Sequence, residues 1–150
     1  MDPLSTVAST IALIQAISST YRAIQHLRGL PKTFDEVNQG LPLVEDTLAL
    51  VRDRLGGMDL DEPSRRTIGP VISGCEEKAR TLRDIFQEVE RNKKEGNDRL
   101  ALDIFPIMSR LGKAHQLKTL MQEIERDVMR LATNQLFRTA TQDQLVKLGE

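Results

Sequence analysis

An all-α fold is predicted by three observations. Every long segment carries apolar residues at helical spacing, and none shows sustained alternation. Gly29-Leu30-Pro31, Gly56-Gly57 and Pro63 stand where the first three of these segments meet. Aromatic residues make up only 3% of the chain, with no Trp and a single Tyr21, so the core must be aliphatic, which suits helix packing. At 150 residues, one domain over 1–150 is the default. The expected arrangement is an up-and-down helical bundle of four main helices plus short extra helices.

The first helix is predicted from Pro3 to Arg28, with Asp2 as cap, Pro3 in the first turn and Gly29 to end it. From Pro3 to Tyr21 it has no charged residue. Leu4, Val7, Ile11, Ile14 and Ile17 form an apolar face, with Leu13 off it, and Ala8, Ala12 and Ala16 recur every fourth position. A helix apolar nearly all round sits deep in a bundle or in a membrane. A charge-free stretch of about 19 residues is near the lower edge of a bilayer span, and small residues four apart let helices approach closely in either setting. The many Ser and Thr residues argue against a constitutive span. The expectation is a central helix of a soluble bundle, either purely structural or releasable to a membrane through Leu4, Val7, Ala8, Ile11, Ala12, Ile14, Ala16 and Ile17.

Pro31 opens the second helix. Phe34, Val37, Leu41, Val44, Leu48, Val51 and Leu55 step 3-4-3-4-3-4, an unbroken heptad seam. Pro42 lies inside it and predicts a kink near Gly40-Leu41-Pro42. Gly56-Gly57 ends it. The third helix starts near Pro63, with a regular start delayed by Pro70, and its face is Ile68, Val71, Ile72, Cys75, Ala79, Leu82, Ile85, Phe86 and Val89. Gly74 predicts a close crossing. A fourth helix is expected from Asp98 to Leu111 and a fifth from Ala114 to Phe137, either separate or one helix bent at Gly112, the fifth with Leu117, Leu120, Met121, Ile124, Val128 and Leu131 inward. Thr141 with Gln144 marks a last short helix, Gln142 to Leu148. That piece ends abruptly, as if cut from a longer protein.

The chain has 21 basic and 22 acidic residues, a net charge of −1, which gives no general attraction to nucleic acid. Without aromatic stacking platforms, nucleic acid is not an expected partner. Cys75 is the single cysteine, so no internal disulfide forms and a reducing, cytoplasmic setting is expected. Neither a secretory signal nor a myristoylation site stands at the N-terminus.

Catalytic patterns are thin. His26, His115 and Cys75 lack metal-ligand spacing, so no metal is expected. Ser73-Gly74-Cys75 follows no strand and is no nucleophile elbow; Cys75 reads as a small hydrophobe. Gly112-Lys113 lacks the upstream glycine of a phosphate loop. The carboxylates fall on solvated faces, with Glu123–Arg126 and Asp127–Arg130 as surface pairs. The expectation is therefore no enzyme, no cofactor and no small-molecule substrate, and binding through amphipathic helices instead. Arg65-Arg66, Arg91 with Lys93 and Lys94, and Lys113 with Lys118 could meet anionic lipid, though ordinary surface charge explains them as well.

The order of motifs carries a resemblance. It runs through the small, aliphatic opening Ile11 to Tyr21, then Gly29-Leu30-Pro31 with Phe34, Glu36 and Val37. Leu41-Pro42-Leu43-Val44 follows with Asp46-Thr47-Leu48, then Cys75-Glu76-Glu77-Lys78-Ala79 with Leu82 and Ile85-Phe86. Leu111-Gly112-Lys113, Leu120-Met121 and Thr141-Gln142-Asp143-Gln144-Leu145 complete it. Taken together, these resemble the SesA-type N-terminal domain of fungal NACHT and related STAND (NLR-like) receptors, a family close in style to HeLo-like cell-death domains. The resemblance implies a HeLo-like helical-bundle effector on a receptor with a central nucleotide-binding oligomerisation domain. It implies a role in regulated cell death, incompatibility or defence, self-association through the parent receptor, and membrane association on activation. The first helix lacks the glycines of a glycine zipper, and no amyloid-type signalling motif is visible. Two functions follow as expectations: a membrane-active effector working through the first helix, or an adaptor that recruits a protein partner through the Phe34–Leu55 seam or an exposed helix face.

Overall fold

The computed structural model describes residues 3–27, 30–57, 62–94 and 113–133. Among the described residues four helices form: α1 Pro3–Ile24, α2 Lys32–Gly56, α3 Glu62–Lys94 and α4 Lys113–Ala132. The helices expected at Asp98–Leu111 and Gln142–Leu148, and the last residues of the fifth, lie outside the described residues.

Local chemistry explains most boundaries. Pro31 is the N-cap of α2, with φ −56° and ψ 141°, the extended geometry proline favours. Gly57 closes α2 by donating its N–H to the Arg54 carbonyl at 3.3 Å. α1 stops four residues before the expected Arg28. There the Leu27 N–H donates to Ile24, three residues back, at 3.0 Å. This tighter turn brings Leu27 and Leu30 onto the core as the chain heads for α2. Pro70 does not delay α3, which is helical from Glu62; its ring, like that of Pro42 within α2, lies on the exposed side.

Helix directions follow from side-chain pairs. Gln15 bonds Glu45 and Tyr21 bonds Asp35, so α1 and α2 run antiparallel. Phe34, early in α2, meets Phe86, late in α3, in a tilted ring contact with centroids 4.8 Å apart and planes at 56°; α2 and α3 are antiparallel too. Lys118 shares a cleft with Thr33 and Val37, whereas Asp127 reaches Lys78, two turns before Phe86. α4 therefore runs with α2, and the four directions alternate.

α1 packs against α2 and α3, and α4 packs against the same two helices. The consecutive helices α2 and α3 thus lie across a diagonal, joined through the centre by Phe34 and Phe86. Among the described helices α1 is a corner of this square. The expected crossing at Gly74 is absent, since a Cβ there would meet open space. The close approach is at Gly40, where a Cβ would sit 2.7 Å from Met121 Cε and 3.2 Å from Glu125 Oε1.

Candidate functional site

α1 divides its nominal interaction residues between two sides. Val7, Ile11, Ile14 and Ile17 are buried, together with Leu13, Tyr21 and Ile24, while Leu4 is half-buried. Ala8 and Ala12 are exposed and Ala16 is half-buried. The small residues therefore line the outer surface and do not mediate a crossing within the bundle. Arg22 is the sole charged residue on the helix.

The polarity of α1 is absorbed locally. Thr6, Thr10 and Thr20 are buried. The Thr10 hydroxyl donates to the Thr6 carbonyl, and that of Thr20 to the Ala16 carbonyl, each at 2.8 Å. Such bonds to the preceding turn let a hydroxyl enter a core without a tertiary partner. Polar ties join α1 to α2: Gln15 Nε2 donates to Glu45 Oε1 at 2.7 Å, and Tyr21 Oη to Asp35 Oδ1 at 2.9 Å. Burial, chiefly, and the bond to Asp35 with its negative charge push the Tyr21 hydroxyl above its ordinary range.

All seven seam residues of α2, Phe34, Val37, Leu41, Val44, Leu48, Val51 and Leu55, are buried. The seam is core in this structure, which leaves the outer side of α2 to meet a partner. Leu43 and Leu50 stand there, 73% and 52% exposed, and Met129 on α4 is 59% exposed. Sequence reasoning missed these three as a group. The available signal was seven-residue spacing off the seam on α2, and an apolar residue off the inward set on α4.

Reactive groups are few. Cys75 is buried, and its thiol is pushed up to about 12 by burial and the nearby Asp127 charge, against a lowering by Lys78. Asp127 does not form the expected surface pair with Arg130. It is buried and accepts from Lys78 Nζ at 2.7 Å, tying α3 to α4. His26 and His115 are exposed. Among the described residues no cluster of His, Cys, Asp or Glu could hold a metal. An open cleft of about 210 Å³ lies between α2 and α4, lined by Thr33, Glu36, Val37, Lys118, Met121, Gln122 and Glu125. That is below the ~300–1,000 Å³ of small-molecule sites. No described helix is long and apolar enough to cross a membrane.

The arrangement offers surfaces for association: a neutral, small-residue face on α1 and an apolar patch on α2 and α4. Residues 7–131 match the model of SesA, described as the N-terminal domain on NACHT NTPases and P-loop NTPases. No curated protein and no solved structure matches the chain.

Proposed function

Because the chain belongs to the SesA family of N-terminal domains on NACHT and P-loop NTPases, we propose that it is the non-enzymatic signalling effector of an NLR-like receptor. On this reading the receptor gathers several copies, α1 leaves the bundle, and the released helices act together on an anionic membrane in regulated cell death. The observation that carries the reading is the composition of α1. Its buried face is mainly aliphatic, with three threonines, its outer face is uncharged through Ser5, Ala8, Ala12, Gln15 and Ser19, and its bonds to α2 include those from Gln15 and Tyr21. No described helix spans a membrane alone, so the membrane step falls to α1 helices in contact, with Ala8, Ala12 and Ala16 permitting close approach.

Liposome leakage tests this, with the 150-residue chain alone and fused to an oligomerising scaffold, on neutral and anionic vesicles. Leakage is expected only from the assembled form, and only with residues 1–21 present. Ala12→Leu sharpens the test: the outward position leaves the bundle intact, and added bulk should suppress leakage by blocking helix approach. Leakage indifferent to residues 1–21 and to Ala12→Leu overturns the reading. A second reading, an adaptor recruiting a downstream protein, is favoured by the exposed Leu43, Leu50 and Met129. It predicts no lipid binding in any state.

A further inference from the structure

The register of α2 on α4 brings two exposed apolar side chains, Leu43 and Met129, to the same groove. Gly40 faces Met121 and Glu125, and the two helices run in the same direction. One turn further along each come Leu43 and Met129, at the same level, with Leu50 two turns beyond Leu43. Charged groups stand beside them. Asp46 is exposed one turn past Leu43, and Arg126 and Arg130 are exposed beside Met129. None of the three charges makes an ion pair among the described residues.

We propose that this face pairs with the same face of a second copy, about a two-fold axis lying along the α2–α4 groove. Such an axis exchanges left and right but keeps the level and direction of each helix. α2 of one copy then lies over α4 of the other. Leu43 meets Met129 of the second copy at the centre, and Asp46 stands level with Arg130 of the second copy at the rim, with Arg126 one turn away. Each contact occurs twice, as a two-fold interface requires. An apolar centre with an oppositely charged rim is the ordinary anatomy of such a contact.

Size sets the strength. Three side chains that are 52–73% exposed offer an apolar patch of no more than a few hundred Å², which monomers also carry. A stable interface covers about 800 Å² per partner. Free copies therefore pair weakly, and pairing becomes substantial when a shared carrier raises the effective concentration toward about millimolar. The biological weight of the contact rests on the reading that a receptor gathers copies; the contact itself does not require α1 to reach a membrane.

Sedimentation of the 150-residue chain over a wide concentration series, with a scaffold-fused form alongside, tests the pairing. The expected result is a weak dimer whose association falls at least tenfold with Leu43→Lys, while the helical signal and melting temperature stay unchanged. Asp46→Arg and Arg130→Asp should each weaken it at low salt, and the double exchange should restore it. Three results overturn the proposal: a monomer throughout the series, a dimer indifferent to Leu43→Lys, or a double exchange that fails to restore association. A monomer that instead binds a different protein through Leu43 gives the face to that partner and equally overturns self-pairing. Leakage is scored separately, so loss of leakage with pairing intact counts against the membrane step alone.

Discussion

α1 and α2 are neighbours of similar length that solve burial in opposite ways. α1 buries ten of its 22 residues, three of them threonines, and turns alanine and serine outward. α2 buries seven of its 25 residues, all apolar, and turns charges outward with Leu43 and Leu50 among them. The difference teaches that an uncharged outer face and a charged one place different limits on what a helix can do after leaving its neighbours. A released α1 carries a single charge, that of Arg22, into a new environment. A released α2 would expose a full heptad seam beside several ionised groups, which water and not lipid would have to solvate.

Substitutions that separate inner from outer positions test this contrast most strongly. Ile14→Asp should destabilise by about 4 kcal/mol or more, since an unpaired carboxylate enters a fully buried site. Ala12→Asp, on the exposed side of the same helix, should stay within about 0.5 kcal/mol. Urea unfolding measures both, and similar losses would contradict the outward placement of the alanines. On α2, Phe34→Ala should remove about 3–5 kcal/mol, because it empties the contact with Phe86 across the diagonal.

Alkaline titration probes the two helices' shared tie. The Tyr21 hydroxyl and the Cys75 thiol both have raised folded-state values, Cys75 at about 12 from a usual 9.0. The unfolded chain loses these protons first, so stability is full below pH ~9 and declines as pH rises toward 12. Tyr21→Phe should flatten the part of this decline above pH ~10, read from melting temperature against pH. A decline of equal steepness in the variant would place the alkaline weakness elsewhere.

The smallest effects compare glycines. Gly74→Ala meets open space and should stabilise α3 by up to about 1 kcal/mol through helix propensity. Gly40→Ala has the same intrinsic gain but crowds Met121 Cε at 2.7 Å. Its thermal shift should fall below that of Gly74→Ala, and an equal or larger gain at Gly40 would show that the flexible ends of Met121 and Glu125 give way without cost.

The seam of α2 and the inward faces of α3 and α4 were legible because charge alternates with apolar residues on those helices, so periodicity has something to contrast. α1 lacked that contrast. Aliphatic spacing alone picked out the inward face Leu4, Val7, Ile11, Ile14 and Ile17, which is buried but for the half-buried Leu4, whereas with no charge before Arg22 its corner position could not be chosen, and the Ala8–Ala12–Ala16 stripe suited a crossing as well as a surface. The Lys78–Asp127 pair spans two helices 49 positions apart, and no local rule links such residues. Gly74 and Gly40 look alike in sequence; only the placement of α4 decides which one a neighbour approaches. The patch of Leu43, Leu50 and Met129 depends on the same placement.

The diagonal relation of α2 and α3 also governs how the chain can reach its native state. α1 meets α2 through a short connection, but its most extensive packing is against α3, which begins only at Glu62. α2, which packs most extensively on α1, gains its other neighbour only with α4, which begins at Lys113. Parallel helix pairs of this kind are non-local, which slows the search for native pairings relative to a bundle built from successive hairpins. During synthesis, Val7, Ile11, Ile14 and Ile17 must stay sheltered by α2 alone until the third helix has left the ribosome. The early hairpin of α1 and α2, fastened by Gln15–Glu45 and Tyr21–Asp35, is thus the segment whose premature opening would divert the nascent chain into aggregation.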